Sequence, residues 1–139
     1  MKPFIKGAYG SLLVILATVF IVTNAPTLEG EFFPVATAYD VEAVQEGTHV
    51  ILSGQMEKTR TCEFRGMKAY LKDPITGLRV IAPIDVQESI KLRPPGDHSW
   101  GPWKIFVPWW TFEPQGTFEV ITTHRCHPVW LTITKFYVR

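Results

Sequence analysis

The hydrophobic pattern divides this chain into one long apolar run and a later series of short alternating segments. Residues 7–28 contain no charged side chain, and residues 12–22 are apolar except for Thr18. A helix rises about 1.5 Å per residue and the hydrocarbon core of a bilayer is about 30 Å thick, so roughly 20 such residues cross it. The run predicts that residues 1–28 form a transmembrane anchor or a signal peptide.

The charges on either side of the apolar run predict its orientation. Lys2 and Lys6 precede the run, whereas Glu29 and Glu31 follow it. Because positive residues are retained on the cytoplasmic side, the N-terminus is expected in the cytoplasm and the rest of the chain outside it.

The residues after the run favour an uncleaved anchor over a cleaved signal peptide. Pro26 directly follows the small residue Ala25, which disfavours cleavage at that position. The small residues at 36–38 lie too far from the apolar run for a usual cleavage site. Cleavage would instead make the remaining chain a secreted domain.

Beyond the apolar run the pattern changes twice. Residues 29–38 predict a linker, because the stretch 24–38 holds two prolines and a glycine without a sustained period. From residue 39 onwards, short stretches of alternating apolar and polar residues are separated by turn signals, which is typical of β-strands. The predicted strands cover residues 40–44, 48–56, 64–72, 78–86, 103–109, 117–126 and 130–138. Residues 92–101 contain Pro-Pro-Gly-Asp and predict a long loop.

Two residues within the predicted strands have positional meaning. A bulge at Gly66 would allow Phe64 to point inward together with Met67 and Leu71. Pro83 lacks a backbone N–H, so the strand over residues 78–86 is expected at a sheet edge.

Seven short strands in about 100 residues predict an all-β fold for residues 39–139. The spacing of the turns is typical of an antiparallel two-sheet sandwich of the immunoglobulin or fibronectin-III type. A small closed barrel is the alternative. This β-sandwich follows one N-terminal transmembrane helix.

The chain has two cysteines, and the sandwich prediction brings them together. Cys62 lies at the start of the third predicted strand and Cys126 at the end of the sixth, and these strands are antiparallel neighbours in this fold. In an exported domain a disulfide is expected between them, which would stabilise the fold by roughly 4 kcal/mol.

A metal site is the alternative interpretation of the same region. Cys62, His124, Cys126 and His127 supply two thiols and two imidazoles, which is enough for tetrahedral zinc. Strand alternation places His124 and Cys126 on one face and leaves His127 in the following turn, and the spacing matches no standard zinc module.

The charge balance gives no reason to expect a nucleic-acid partner. The formal net charge is +1, and residues 39–139 contain 12 Lys/Arg against 11 Asp/Glu. A small basic rim is predicted near the cysteines, formed by Lys58, Arg60, Arg65 and Arg125. Because Glu57 and Glu63 lie among these residues, a solvated, self-paired face is the favoured interpretation of the rim.

All five tryptophans lie between residues 100 and 130, and residues 103–112 are apolar on both strand faces. Only one face of a strand in a two-layer sandwich reaches the core. The other face is covered by the 92–101 loop, exposed as a binding patch, or laid against the membrane interface. The candidate binding patch comprises Trp103, Phe106, Trp109, Trp110, Phe112 and Trp130.

No catalytic signature is present in the sequence. The chain lacks GxSxG, HExxH and a phosphate-binding glycine loop, and Asp97-His98-Ser99 is better explained as a polar turn. We therefore expect a protein that is not an enzyme and uses no cofactor.

Three segments carry a resemblance to a known group of proteins. Residues 58–64 (KTRTCEF), 100–103 (WGPW) and 124–130 (HRCHPVW) together resemble small membrane-anchored proteins of tailed phages and their prophages. Those proteins pair an N-terminal anchor with one short β domain. The resemblance implies a single-pass protein in the inner membrane of the host, with its domain in the periplasm, and it implies no particular activity.

These observations lead to a functional hypothesis with two alternatives. The chain is expected to be a membrane-tethered interaction module that binds an envelope or virion protein, through the aromatic patch or through the loops near the cysteines. A metal-binding or redox protein using the Cys/His cluster is one alternative. A purely structural component of the envelope or virion is the other.

Overall fold

The computed structural model describes residues 2–73, 75–86, 93–107 and 117–139, and these ranges contain one helix and eight strands. Helix α1 covers Lys2–Phe32. The strands are β1 (Ala36–Glu46), β2 (His49–Lys58), β3 (Glu63–Lys72), β4 (Arg79–Ala82), β5 (Ile84–Val86), β6 (Gly96–Phe106), β7 (Thr117–Arg125) and β8 (Thr132–Val138).

The strands form two antiparallel four-stranded sheets that pack face to face. The strand orders are β1-β2-β6-β5 and β4-β3-β7-β8. If β1 to β8 are lettered A, B, C, C′, D, E, F and G, the two sheets have the orders ABED and C′CFG. This is the arrangement of immunoglobulin-like sandwiches. The predicted fold class is therefore confirmed, including the antiparallel pairing of the third strand with the strand that precedes Cys126.

Helix α1 is longer than the apolar run that predicts it. Residues 9–32 are long and apolar enough to cross a membrane, and an 18-residue window within them has a mean hydropathy of 2.0. The helix includes Pro26 and ends where the Phe33 amide bonds to the Glu29 carbonyl at 2.8 Å. The structure corrects the predicted linker at 29–38: residues 29–32 are helical and residues 36–38 belong to β1. Contacts with the sandwich, described below, override the weak local helix signal here.

Strand β6 begins well before its predicted start. The sequence predicts a loop over residues 92–101, but Gly96 pairs with Lys58 and Ser99 with Gln55 along the far end of β2. Strand β6 has one extra residue where it passes Leu52–Gly54 of β2. This bulge includes Gly101, whose φ is 90° and where a Cβ would overlap the backbone of Leu52. This bulge allows both Trp100 and Trp103 to face the core although they are three residues apart.

The predicted strand 78–86 is divided at Pro83. Its first half, β4, pairs with β3 in one sheet, and its second half, β5, pairs with β6 in the other. Both halves are edge strands. Pro83 therefore lies where the chain changes sheets, and its carbonyl accepts a bond from the Phe106 amide at 3.0 Å.

The core lies between the two sheets and is rich in aromatic groups. The rings of Trp100 and Trp103 are 4.3 Å apart, and Phe136 from the opposite sheet packs edge-on against Trp100 at 5.2 Å. Leu52, Ile105 and other aliphatic residues complete this core. Helix α1 ends beside the starts of β1, β3 and β8. We call this end of the sandwich the helix end.

Candidate functional site

The helix end of the sandwich is organised around the carboxylate of Glu29. One oxygen, Oε2, accepts hydrogen bonds from Trp130 Nε1 at 2.8 Å and from Thr132 Oγ1 at 3.0 Å. His127 Nε2 lies 3.0 Å from the same oxygen, and Arg60 pairs with Oε1 at 2.8 Å. These five residues are called the Glu29 junction. Its members come from α1, from the loop before β3 and from the segment around β8, so the junction joins the helix to one end of the sandwich.

Close backbone contacts reinforce the Glu29 junction. Gly30 packs directly on β8, and a Cβ at this position would overlap the carbonyl of Ile133. After the helix, Val35 is fully buried and its carbonyl accepts a bond from the Thr59 amide at 3.0 Å. Arg60 also donates to the Phe33 carbonyl at 3.3 Å. The connection between helix and sandwich is therefore packed at Gly30 and Val35 and hydrogen-bonded at Phe33 and Val35.

A disulfide closes the same end of the sandwich. Cys62 and Cys126 are bonded, with their Cα atoms 4.7 Å apart and 64 positions apart in sequence. This confirms the predicted disulfide. The bond joins the segments next to Arg60 and His127, so it holds two contributors to the Glu29 junction together.

The four residues of the predicted metal site do not converge. Both thiols are used in the disulfide, and His127 contacts Glu29. His124 is buried, with its ring 5.5 Å from that of Phe64. Within the described ranges, no group of three or more His, Cys, Asp or Glu side chains could hold a metal ion.

The four residues of the predicted basic rim occupy different environments. Lys58 is buried, whereas Arg125 is exposed. Arg60 belongs to the Glu29 junction, and Arg65 pairs with Glu63 at 2.9 Å. The structure thus pairs two of the four cations with carboxylates and removes Lys58 from the surface.

The predicted aromatic patch is likewise divided. Trp103 is only 5% exposed and belongs to the core, and Trp130 belongs to the Glu29 junction. Phe106 is 42% exposed and packs edge-on against His49 at 5.7 Å. Trp109, Trp110 and Phe112 lie outside the described residues, so their place in a surface patch stays a prediction.

A cavity lies between the sheets near the helix end. Its volume is about 40 Å³, and it is partly open to solvent. Apolar walls come from Ala36, Met56, Phe64, Met67 and Phe136. Polar groups come from Lys58, Arg93, Trp103, Thr122 and His124. Burial, and secondarily the charge of Lys58, lowers the pKa of His124 to about 4, so its imidazole is neutral at neutral pH.

The opposite end of the sandwich exposes aliphatic side chains. This surface, called the distal tip, comprises Ile75, Leu78, Val80 and Ile81, which are 92%, 66%, 44% and 59% exposed. The turn that carries Ile75 is fixed by Asp73, whose carboxylate accepts bonds from the Ile75 amide at 2.8 Å and from Thr76 Oγ1 at 2.7 Å. These hydrogen bonds lower the pKa of Asp73, and the bond from Thr76 has the largest effect. The aliphatic residues are therefore held outward on an ordered turn and an edge strand.

Comparison with known proteins finds no match: no protein-family profile, no curated protein and no solved structure is significantly similar to this chain.

Sequence reasoning missed the most connected group of the site. Glu29 was used only as a charge that follows the apolar run. The sequence signal that could have found the junction is the pair Glu29-Gly30. An acidic residue next to a glycine, directly after an apolar run of membrane-spanning length, suggests that the helix packs closely on another element at this point. The distal tip was also missed, although Ile75 and Leu78 flank a turn where polar residues are usual.

Proposed function

We propose that this chain is a membrane-tethered interaction module: a single-pass protein of a bacterial inner membrane whose β-sandwich lies in the periplasm and binds a protein of the envelope or virion. The observation that carries the proposal is the Glu29 junction. It joins a helix of membrane-spanning length to the sandwich without a flexible linker, which is useful to a domain that must be presented in one orientation.

The exposure of the helix supports membrane insertion. Its large apolar side chains between Leu12 and Val22 are all at least half exposed, including Leu13 at 67% and Phe20 at 63%. A helix that is apolar on all sides and packs on nothing along this stretch is stable in lipid rather than in water. The positive residues before it favour retention of the N-terminus in the cytoplasm.

The geometry of the sandwich supports presentation of the distal tip away from the membrane. Strand β3 starts at the disulfide end and runs to the turn that carries Ile75. Its ten residues, at about 3.3 Å each, separate the two ends by about 30 Å. With α1 in the bilayer, the distal tip is then the part of β3 and β4 farthest from the lipid.

The chemistry of the distal tip supports a protein partner. Residues 75–81 carry four exposed aliphatic side chains, and an excess of exposed apolar groups marks interaction sites more often than single scattered ones do. Strand β4 is also an edge strand, and an edge offers unpaired backbone groups to which an extended segment of another chain can add. The partner segment we propose is an apolar β-strand.

The phage setting rests on the resemblance of three sequence segments. It favours roles such as superinfection exclusion, lysis control or virion assembly, none of which requires catalysis. The disulfide uses both thiols, so the proposal includes no metal or redox chemistry at the cysteines. The alternative is a purely structural component of the envelope or virion. Such a component would need no specific contact at the distal tip, whereas the proposed interaction module does.

The test is site-specific photo-crosslinking in living host cells. A photoreactive residue is placed at Ile75 or Ile81, and, as a matched control at the exposed last residue of β1, at Glu46. We expect one discrete adduct from the distal tip and at least fivefold less from Glu46. Ile81→Asp should abolish the adduct at Ile75 while the sandwich remains folded. No adduct, or equal adducts at all three positions, would instead support a structural component.

A further inference from the structure

The cavity between the sheets is lined by the positively charged Lys58, which forms no ion pair with a carboxylate of the described residues. Lys58 is only 5% exposed, and its ammonium donates to the carbonyls of Arg93 at 2.6 Å and Cys62 at 3.3 Å. Among the described residues, no carboxylate lies within ion-pair distance of it and no Asp or Glu lines the cavity. Buried charges are ordinarily paired, because an unpaired one loses its hydration without compensation.

Three buried polar atoms on residues that line the cavity have no hydrogen-bond partner within the part of the chain that the structure describes. They are Trp103 Nε1, Thr122 Oγ1 and His124 Nδ1, and all three side chains are at least nine-tenths buried. Buried polar atoms are normally satisfied, and each unsatisfied one is costly. Three such atoms lining one cavity indicate that something polar occupies it.

The chemistry of these atoms limits what the occupant is. The ammonium of Lys58 and the indole of Trp103 can only donate hydrogen bonds, and the hydroxyl of Thr122 can donate. Nδ1 of His124 donates in one of the two neutral tautomers. The complementary group is rich in acceptors and negatively charged, and a carboxylate, with two oxygens and no donor, meets both requirements.

The volume and the apolar walls of the cavity limit the size and the non-carboxylate part of the bound molecule. At about 10 to 15 Å³ for each water-sized group, a volume of 40 Å³ holds about three such groups, and the open side admits slightly more. Met56, Met67 and Phe136 provide an apolar surface opposite the polar atoms. We propose that this cavity binds a small carboxylate of two or three carbons, with its carboxylate on Lys58 and its alkyl group against the methionines.

This proposal is independent of the distal tip, so either can fail alone. The test titrates propionate into the full chain in lipid nanodiscs and follows the indole N–H signal of Trp103 by NMR, assigned with Trp103→Phe. We expect a saturable shift of this signal. Propionamide, which has nearly the same shape and no charge, should shift it at least tenfold less at equal concentration. Ordered water alone in the cavity would give no saturable shift and would overturn the proposal.

Two variants and a control locate the site. Lys58→Met should weaken propionate binding at least about tenfold, whereas Lys68→Met, at an exposed position on β3, should not change it. Thr122→Val, which removes only a hydroxyl, should weaken binding by about threefold to tenfold and decides the question if Lys58→Met does not fold. Binding that is unaffected by Thr122→Val, or that is lost equally in Lys68→Met, would contradict the proposal.

Discussion

The carboxylate of Glu29, near the end of α1, accepts a hydrogen bond from the indole Nε1 of Trp130, and the two atoms are 2.8 Å apart. These residues are 101 positions apart in sequence. The bond links the last turn of a membrane-length helix to the segment before β8. Together with the other contacts of the Glu29 junction, it makes the end of the helix and the sandwich one packed unit.

Glu29→Gln should weaken the unit without changing its shape. The amide keeps one acceptor but loses the charge, so Arg60 is left without its carboxylate partner in a partly buried site. We expect the free energy of unfolding to fall by about 1 to 3 kcal/mol, measured by denaturant titration of the full chain in detergent. Glu31→Gln, at an exposed position two residues later, should change it by less than about 0.5 kcal/mol. Equal effects of the two substitutions would contradict the account.

Gly30→Ala should separate the helix from β8. The added methyl group would overlap the Ile133 carbonyl, which is backbone and cannot move aside easily. We expect exchange of the Thr59 amide, bonded to Val35 beside the junction, to become at least about tenfold faster.

Gly10→Ala is the matched control for this substitution. Nothing lies within 4 Å of a Cβ at Gly10, and the position is also helical. In the Gly10→Ala chain, the hydrogen-exchange rate of the Thr59 amide should equal that in the native chain. A Gly30→Ala chain with native exchange would refute close packing of α1 on β8.

The disulfide should contribute strongly to stability. It closes a loop of 64 residues, and loop-closure entropy predicts a loss of about 4 kcal/mol when Cys62 and Cys126 are both replaced by Ala. Denaturant titration under non-reducing conditions measures the difference. A loss below about 1 kcal/mol would be inconsistent with this contribution.

His124 should make stability depend on pH. Burial and the charge of Lys58 lower its folded-state pKa from 6.5 to about 4, so the unfolded chain binds a proton more readily than the folded chain. The contribution is fully present above pH 6.5 and is lost as the pH falls towards 4, by up to about 3 kcal/mol.

The measurement compares native chain and His124→Phe between pH 7 and pH 4. The free energy of unfolding of the native chain should fall more steeply over this interval, since the variant lacks the titrating group. Parallel curves would mean that His124 titrates alike in the folded and unfolded states.

Much of the sandwich is predictable from local patterns. Alternation identifies most of the strands, and the bulge expected beside Gly66 is present, with a register shift between Phe64 and Gly66. The disulfide also follows from the sequence, because it needs only the strand order and two cysteines. In these cases the local signal and the tertiary structure agree.

The errors arise where distant pairing overrides the local signal. The Pro-Pro-Gly-Asp segment predicts a loop, yet the end of β2 provides partners for a strand from Gly96 onwards. Pro83 predicts that residues 78–86 form one strand at a sheet edge. In the structure it instead separates two edge strands that belong to different sheets. The pattern of one segment carries no information about which partner is available to it.

The candidate sites are the least predictable features. The Glu29 junction unites residues about 100 positions apart, and nothing in the spacing of Glu29, His127 and Trp130 relates them. The cavity is defined by atoms that lack partners, such as Thr122 Oγ1. Such a deficit depends on the final packing of both sheets and cannot be read from either strand alone.

The central claim is that the helix remains attached to the sandwich as a membrane anchor. The most direct measurement is the intact mass of the protein from host membranes, denatured with a thiol alkylator and no reductant. The account predicts the mass of all 139 residues, allowing for N-terminal formyl or methionine removal, with no alkyl group added. A mass short by 25 to 38 residues, or two added alkyl groups, would contradict it.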